Sequence, residues 1–402
     1  MTTGAPTTAV TTAHAVTGEA AAMLAGARES ERLRVEFGDR SYEILVGRGL
    51  IAGSGYEVLP LLRRRQAVIV TDEIVAGHHL AALERSLSGA GIAHRAVLLP
   101  AGEETKDLDH FGRLVDEVLA LGIERGTMLI ALGGGVVGDI TGFAAAVLLR
   151  GIDFVQIPTT LLAQVDSSVG GKTGINTRLG KNLLGAFYQP RLVLADSDAL
   201  ATLPRRELLA GYAEIVKYGL IRDAGFFAWL ESEGAAVCAL DAVALTHAVM
   251  TSCRMKAAIV AADERETGDR ALLNFGHTFG HALEAETGFG SRLLHGEAVA
   301  LGMVLAFDFA VGTGLAPAAD AQRVRRHLSR AGLPTELAAI GLAGTPPERL
   351  LTHMSRDKKV RDGRITLILP RRIGDVFVMK DAPTEALRGF LAEAARPLRD
   401  LG

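Results

Sequence analysis

Thr127-Met-Leu-Ile-Ala-Leu-Gly-Gly-Gly-Val-Val-Gly-Asp139 is the stretch that decides the fold. Its apolar first half predicts a buried β-strand, and the Ala-rich segment that follows it predicts a helix. Glycines between a strand and a helix let the backbone approach a ligand closely, and the helix N-terminus attracts phosphate oxygens. The turn departs from the G-x-G-x-x-G fingerprint, so a plain tight turn stays an alternative. At the carboxyl edge of a parallel sheet it would form a pyrophosphate cradle.

The same alternation of strand and helix extends to both sides of this stretch. Helices are predicted at Leu80–Ala90 and Phe111–Leu121. The predicted strands are Leu33–Asp39, Ser41–Val46, Ala67–Asp72, Arg95–Leu99, Phe154–Ile157 and Leu192–Ala195. Strands that alternate with helices indicate an α/β fold, in which a Rossmann-like parallel sheet is covered on both faces.

The pattern changes after Leu203-Pro204, where long helical periodicities dominate. Helices are predicted at Glu207–Glu231, at Ala239–Ala262, around the histidines near position 277, at Glu297–Gly312 and at Ala318–Ala331. A small hairpin is predicted from Arg364–Pro370 and Asp375–Met379. We therefore expect three parts: a disordered N-terminal tail (1–31), a parallel-sheet α/β domain (32–204) and a mostly α-helical C-terminal domain (205–402).

Composition narrows the class of protein. The chain has 402 residues, of which 49% are hydrophobic and 22% charged, as in a soluble globular enzyme of two domains. A net charge of −3 gives no indication of a surface that binds nucleic acid or membranes. No uninterrupted apolar run reaches the length of a membrane span. The tail lacks the basic and apolar regions of a secretory signal. Cys238 and Cys253 form no C-x-x-C pair, which fits a reducing compartment such as the cytoplasm.

A histidine-rich segment, Asn274-Phe-Gly-His-Thr-Phe-Gly-His281, predicts a metal site together with His295. Histidines four residues apart project from one face of a helix, so spacing alone allows both His277 and His281 as ligands. Upstream, Glu214 and Lys217 lie three residues apart on one helical face. A catalytic zinc usually takes three nitrogen or oxygen ligands and keeps one position open.

Polar loops and cations complete the predicted site. Pro158-Thr-Thr160 and the segments Gln164–Asn176 and Gly180–Asn182 combine hydroxyls, glycines and lysines, which suits hydroxyl and phosphate recognition, although a surface loop is the plain alternative. Further cations fall within motif-like segments: Lys172, Lys181, Lys217, Lys256, Arg270, Lys358 and Lys359. Lysine and arginine are the natural partners of carboxylate and phosphate, so a polyanionic substrate is expected.

These segments closely resemble the 3-dehydroquinate synthase family, over nearly the whole chain from about Arg32. The matching blocks are Gly133–Asp139, Pro158–Lys172, Leu203–Lys217, Ala262–Gly268, Asn274–His281 and Arg356–Lys359. The resemblance implies conversion of 3-deoxy-D-arabino-heptulosonate 7-phosphate to 3-dehydroquinate and phosphate, in the shikimate pathway of the cytoplasm. It implies transient oxidation by NAD⁺, phosphate elimination, return of the hydride and an intramolecular aldol closure.

The resemblance also implies a role for each matching residue. It makes 32–204 the NAD-binding domain and 205–402 the metal- and substrate-binding domain. The implied metal ligands are Glu214, His277 and His295, with zinc as the metal and cobalt as an alternative, which leaves His281 to the substrate phosphate. The implied NAD contacts are Asp72, Glu103, Lys106, Gly134, Gly135, Val136, Asp139, Thr159, Thr160, Lys172 and Lys181.

The implied substrate contacts fall into four groups. Lys256 and Arg270 match a carboxylate-binding pair, and Asp166 and Lys217 match groups that hold ring hydroxyls. The phosphate surroundings match Lys172, Asn182, Asn274, His281 and Lys358. Arg150 matches an arginine that reaches the site from a second subunit, which implies a homodimer.

Several alternatives remain open from the sequence. Cyclases that make valiolone-type or deoxyinosose-type rings act on sugar phosphates without a carboxylate, so they have little use for Lys256 and Arg270. An amino-dehydroquinate synthase differs in substrate only by nitrogen for oxygen. A metal-dependent polyol dehydrogenase of similar architecture would release its reduced cofactor. A non-catalytic protein of this fold would lack a ligand or a lysine, and none is missing.

Overall fold

The structure is a computed structural model that describes residues 30–266, 268–288, 290–355 and 365–396. The predicted N-terminal tail, the Lys358-Lys359 pair and the start of the predicted strand at Arg364 lie outside these residues. The predicted fold class is confirmed, because a mainly parallel sheet is followed by a mostly helical half.

A seven-stranded sheet organises the first half, with strand order β1-β2-β9-β6-β5-β3-β4. Its strands are β1 Glu31–Val35, β2 Tyr42–Gly47, β3 Gln66–Asp72, β4 Ala93–Leu99, β5 Met128–Gly133, β6 Phe154–Pro158 and β9 Leu192–Asp196. The edge strand β1 pairs with β2 antiparallel, and every other pairing in this sheet is parallel. Each predicted strand of this half is present, within a few residues of its predicted ends.

Helices cover both faces of this sheet. They are α1 Leu50–Val58, α2 Ala81–Gly89, α3 Leu108–Ala120 and α4 Gly135–Val147. Along β5, Ile130 packs with α1 and α2 on one face, whereas Leu129 packs with α3 and α4 on the other. This alternation follows from the two-residue period of a strand, and it explains why β5 is apolar throughout.

The polar segment predicted as a loop forms a β-hairpin instead. Its strands are β7 Lys172–Thr177 and β8 Gly180–Phe187, which pair antiparallel outside the main sheet. The two strands approach closely: a Cβ on Gly185 would lie 2.1 Å from the backbone oxygen of Thr173. The loop prediction was wrong because glycines and polar residues obscured the strand pattern, while pairing between the two strands satisfies the backbone.

The second half is built from eight helices in the described ranges and one small hairpin. The helices are α5 Arg205–Arg222, α6 Ala224–Cys238, α7 Ala242–Ala262, α8 His277–Thr287, α9 His295–Gly312, α10 Ala318–Ala331, α11 Pro347–Ser355 and α12 Thr384–Ala394. The hairpin is β10 Leu367–Arg372 with β11 Asp375–Met379.

One predicted helix is divided in the structure. Glu207–Glu231 was expected to be continuous, but the helix ends at Arg222 and a new one begins at Ala224. Asp223 lies between them with φ −142° and ψ 85°, and its carboxylate accepts a hydrogen bond from the Phe226 amide at 2.8 Å. An aspartate in this position caps the N-terminus of the second helix, so the chain turns there despite the continuing apolar pattern.

Helix α9 is the centre of this half. It is the one helix in the described part of the chain that is long and apolar enough to cross a membrane, yet 72% of it is buried inside the protein. Its backbone lies directly against the backbone of α5 and against the backbone at the start of α8. A Cβ on Gly296 would lie 2.0 Å from the Ala210 oxygen, and one on Gly302 would lie 2.1 Å from the Gly276 oxygen. Glycine at these positions brings the three helices into contact.

We predict that Gly302→Ala lowers the free energy of unfolding by about 1–3 kcal/mol, because the new methyl group has to push α9 away from α8. Gly53→Ala in α1 is the matched control, since nothing lies within 4 Å of its Cβ. Alanine is the better helix former, so this control should be stabilised by about 0.5–1 kcal/mol. Urea-induced unfolding would measure both, and equal changes would contradict the close contact.

Candidate active site

The carboxyl ends of three adjacent parallel strands form one wall of the candidate site. Strands β3, β5 and β6 end there at Asp72, Gly133 and Pro158. A Cβ on Gly133 would lie 2.6 Å from the side chain of Val137, and one on Gly134 would lie 3.0 Å from Thr160. The glycines therefore let α4 begin directly over the strand, with bare backbone at its N-terminus. Such a terminus presents free N–H groups to an anion.

The residues that match the NAD contacts gather at this edge. Lys106 is buried and forms an ion pair with Asp139 in the first turns of α4. Burial raises the pKa of Asp139, and the neighbouring Lys106 opposes that rise. Asp72 caps the helical turn after β3, because its carboxylate accepts from the amides of Ile74 and Val75 at 3.0 and 2.9 Å.

The hairpin is tied to the same edge by one amide side chain. Asn176 in β7 donates from Nδ2 to Glu103 at 2.8 Å, and its backbone N–H donates to the Lys106 oxygen at 2.7 Å. Its Oδ1 accepts from the backbone N–H of Asn182 at 2.9 Å. Asn176 was not among the predicted site residues, although it lies in the polar segment that drew attention to this region.

A charge cluster, in which the two lysines are buried and the carboxylate is half-buried, joins the sheet edge to the helices. Asp166 lies in the turn Ala163–Ser167 after β6, and it accepts from Lys256 at 2.8 Å and from the Tyr218 hydroxyl at 3.0 Å. Lys217 lies 3.9 Å from the same carboxylate oxygen. Burial alone would raise the pKa of Asp166, but Lys256 and Lys217 outweigh it and hold that pKa well below its usual range. Asp166 is therefore an ionised carboxylate.

Glu214, His277 and His295 converge beside this cluster. One ligand atom from each lies within 4.8 Å of the others. The Nε2 atoms of His277 and His295 lie 3.8 and 3.6 Å from the Glu214 carboxylate. Glu214 is fully buried, and although Lys217 forms an ion pair with it, neither carboxylate oxygen accepts a well-directed hydrogen bond from a described residue. A buried carboxylate with unfilled acceptor positions fits a cation between these three side chains.

A second group of the same kind shares His295. It consists of His281, Glu284 and His295, again within 4.8 Å. Glu284 is buried, its Oε2 lies 3.2 Å from Nδ1 of His295, and its Oε1 lies 3.2 Å from Lys181 of the hairpin. Burial would raise the pKa of Glu284, but His295 and Lys181 lower it to about 2. Glu284 therefore holds the His295 ring with Nε2 toward Glu214.

The remaining predicted cations lie on the hairpin side of the site. Arg270 is almost fully buried and donates to the backbone oxygens of Gly170, at 3.1 Å, and Glu264. Its Nε has no hydrogen-bond partner within the described ranges. Lys172 forms an ion pair with Glu266, whose other oxygen accepts from Asn274 at 2.6 Å. A carboxylate of the chain thus lies between two residues that match the phosphate surroundings.

One predicted residue of the described ranges, Arg150, lies away from this cluster. Arg150 is exposed at the far end of α4, about 20 Å from the glycine turn by the rise of a helix, and it has a positive φ of 68°. Lys358 lies outside the described residues. The predicted contacts Val136 and Thr159 do lie at the sheet edge, in the first turn of α4 and directly after β6.

Sequence reasoning missed four residues that the structure places in the site: Asn176, Tyr218, Glu266 and Glu284. Tyr218 follows Lys217 directly, and Glu284 lies three residues beyond His281 on the same helix face, so helical spacing could have found Glu284. Nothing local singles out Glu266 or Tyr218. Lys172 for Glu266 and Asp166 for Tyr218 are partners from distant parts of the chain.

Comparison with known structures defines the class. The fold is similar to 2-epi-5-epi-valiolone synthase from Streptomyces hygroscopicus subsp. jinggangensis with NAD⁺ and Zn²⁺ bound (TM-score 0.80, 31% identity, 88% of this chain and 96% of that one). It is also similar to a 2-deoxy-scyllo-inosose synthase complexed with carbaglucose-6-phosphate, NAD⁺ and Co²⁺ (TM-score 0.78, 25% identity, 90% and 100% coverage). The fold is that of the sugar phosphate cyclases.

Sequence comparison identifies the family. Models of the 3-dehydroquinate synthase N-terminal and C-terminal regions match residues 96–210 and 211–360. The 3-dehydroquinate synthase of Rhodospirillum rubrum is 59% identical over 372 residues, which cover 92% of this chain and 97% of the relative. That of Caulobacter vibrioides is 54% identical over 360 residues, with 89% and 97% coverage. The chain belongs to the 3-dehydroquinate synthase family, and the predicted family and function are confirmed.

For the dehydrogenase alternative, the comparisons show a similarity in fold alone. Glycerol dehydrogenase from Schizosaccharomyces pombe is 18% identical with a TM-score of 0.61, over 88% of this chain and 89% of that one. At that identity the likeness extends to the architecture alone. The cyclase family, by contrast, is matched across both halves of the chain.

We predict that Lys256→Met destabilises the protein by about 1–3 kcal/mol, since it leaves the half-buried Asp166 without its nearest cation. This value lies below the range for a fully buried ion pair that loses one partner, because Lys217 and Tyr218 remain close to the Asp166 carboxylate. The double variant Lys256→Met/Asp166→Asn removes the uncompensated charge and should regain part of the loss. Chemical unfolding of the two variants checks this, and a double variant less stable than the single one would contradict it.

Proposed function

We propose that this chain converts 3-deoxy-D-arabino-heptulosonate 7-phosphate to 3-dehydroquinate and phosphate through transient oxidation by bound NAD⁺. The observation that carries the mechanism is the position of Asp166. It follows β6 at the sheet edge, contacts Lys256 and Lys217, and through Lys217 adjoins Glu214. One continuous polar site thus extends from the glycine turn to the histidines, so that a cofactor and a metal could act on the same substrate.

For the cofactor, we propose that residues 32–204 bind NAD⁺. The bare N-terminus of α4 at Gly134 and Gly135 suits the pyrophosphate, and Thr159 and Thr160 supply hydroxyls beside it. Asp72, Glu103, Lys106, Val136 and Asp139 would complete the cofactor site, with Lys172 and Lys181 from the hairpin. Two structural relatives contain NAD⁺, which supports this assignment.

For the metal, we propose that residues 205–402 hold a zinc ion at Glu214, His277 and His295. Two nitrogens and a carboxylate suit zinc, with cobalt as an alternative. The contact of Glu284 with Nδ1 of His295 favours this set over the one that contains His281, because it directs Nε2 toward Glu214. When bound, the metal would supply Lewis acidity toward a substrate hydroxyl.

The chain's own side chains would then hold the substrate. Lys256 and Arg270 would bind its carboxylate, and the unpartnered Nε of Arg270 supports an anion there. The ionised Asp166 and Lys217 would hold ring hydroxyls. Lys172, Asn182, Asn274, His281 and Lys358 would surround the phosphate, which would displace Glu266 from between Lys172 and Asn274.

We further propose a homodimer in the cytoplasm. Arg150 is exposed at the end of α4 remote from its own site, so it is placed to serve a partner's site. The cytoplasm is supported by two buried free thiols, because burial raises the pKa of Cys238 to about 11 and that of Cys253 to about 12. Protonated, buried thiols are inert and need no oxidising compartment.

The decisive experiment is phosphate release from the heptulosonate substrate, with NAD⁺ and zinc each withheld in turn. Because the hydride returns to the substrate within each cycle, a trace of NAD⁺ should support many turnovers without accumulation of NADH. Absorbance at the NADH band, read beside phosphate release, makes this measurement. Consumption of one NAD⁺ per phosphate released would contradict the cyclase mechanism and favour a dehydrogenase.

Two histidine variants separate the possible ligand sets. We expect His277→Ala to purify with little zinc, because it removes a ligand of the proposed set. His281→Ala should keep near-stoichiometric zinc and bind NAD⁺, while phosphate elimination slows by roughly 10²–10⁴-fold, as for a positioned acid–base group. Metal analysis beside the elimination rate tests both. Equal loss of zinc in the two variants would show that His281 is a ligand, and intact activity of folded His281→Ala would show that it only packs the helix.

A further inference from the structure

A cavity of about 290 Å³ lies between α5, α6 and α10, away from the residues assigned to the reaction. On α10 it is lined at positions 323, 326, 327 and 330, and on α6 at positions 231, 234, 235 and 238. Both sets follow the i, i+3, i+4, i+7 spacing of a single helix face. The volume is at the lower end of the range for small-molecule pockets.

The lining of this cavity is strongly cationic. Four guanidiniums line it, from Arg205, Arg323, Arg326 and Arg330, against a single carboxylate, that of Glu231. Glu231 is engaged by Arg323, with an Nε to Oε1 distance of 3.2 Å. Arg326 and Arg330 are exposed, and within the described ranges neither has a hydrogen bond or an ion pair. Like charges around one cavity repel each other, and an anion between them would relieve that repulsion.

The floor of the cavity supplies a buried donor. His327 is only 8% exposed, and its Nε2 lies 2.9 Å from the hydroxyl of the fully buried Tyr212. Burial lowers the pKa of His327, so the ring is neutral. Within the described ranges, Nε2 is the one hydrogen-bond partner of the Tyr212 hydroxyl, so the hydroxyl donates to it and the proton of the neutral ring is on Nδ1. His327 lines the cavity and no described residue accepts from its Nδ1, so this N–H can donate to a ligand there.

The space for this pair depends on a glycine. A Cβ on Gly234 would lie 2.0 Å from the Tyr212 hydroxyl oxygen and 3.3 Å from Cε1 of His327. Any other residue would displace the pair that forms the floor. The cavity therefore combines a polar floor, which is buried and fixed, with two unpaired guanidiniums at its rim.

We infer that this cavity is a second anion site, which binds a small dianion between Arg326, Arg330 and the Nδ1–H of His327. Arginine binds phosphate and carboxylate groups in the same forked geometry, so a phosphate monoester and a dicarboxylate share the required chemistry. The site is independent of the proposed reaction, since it uses none of the residues assigned to NAD⁺, metal or substrate.

Isothermal titration of the full chain, loaded with NAD⁺ and zinc, tests the site with inorganic phosphate and with succinate as probes. The test variant is Arg326→Gln/Arg330→Gln. The matched control is Arg85→Gln/Arg113→Gln, which removes the same charge from exposed arginines of α2 and α3. We expect the wild type and the control to bind one equivalent of phosphate or succinate that the test variant does not bind. If the test variant still binds this equivalent, we expect its affinity to be at least about 10-fold weaker.

Binding of phosphate alone would assign the site to phosphate esters, and binding of succinate alone would assign it to dicarboxylates. Equal stoichiometry and affinity in all three proteins would overturn the proposal. The same loss of binding in the control would also overturn it, because the loss would then come from the change in net charge alone. A second measurement follows the ring NMR signal of His327 in the wild-type protein, with the signal identified by its absence from the spectrum of His327→Gln. This signal should shift and saturate with the extra equivalent, and a signal that does not move would also overturn the proposal.

Discussion

The buried ion cluster at Asp166 is the constraint on which the rest of the site depends. Its carboxylate, from the turn after β6, is the common partner of Lys256 on α7 and of Tyr218 on α5, and Lys217 lies close by. The two lysines are buried, and a buried charge is tolerated only when an opposite charge lies close to it. The cluster therefore fixes the sheet edge, α5 and α7 relative to one another. It also sets where Glu214 lies, because Lys217 is shared between the two carboxylates.

Most of the fold could be predicted from the sequence because its strands are short, apolar and separated by amphipathic helices. β5 and the glycine turn after it contain enough local information to place a parallel strand, a turn and a helix in order. The β7–β8 hairpin could not be predicted in this way, since its pairing partner, and not its own composition, makes it a strand pair. The break at Asp223 depends on one side chain that caps a helix, in a segment where the apolar pattern continues on both sides.

The candidate site could be predicted in part for similar reasons. Spacing identified His277 and His281 as possible ligands but could not choose between them, because both face the same way from α8. The choice between the two histidines depends on Glu284, which holds the His295 ring, and on the carboxylate of Glu214, which lies on a different helix. The contact of Glu266 with Lys172 joins residues that lie far apart in the sequence, and no local pattern predicts it.

The double contact of Glu284 has a consequence for how the two halves of the protein communicate. One of its oxygens faces Lys181 on the hairpin and the other faces His295. While the hairpin is docked, the negative charge of Glu284 is divided between two cationic or donor partners. Without the Lys181 contact, that charge would act on the imidazole alone and make its opposite nitrogen more electron-rich. The electronic character of His295 is therefore sensitive to the position of a strand pair in the other half of the chain.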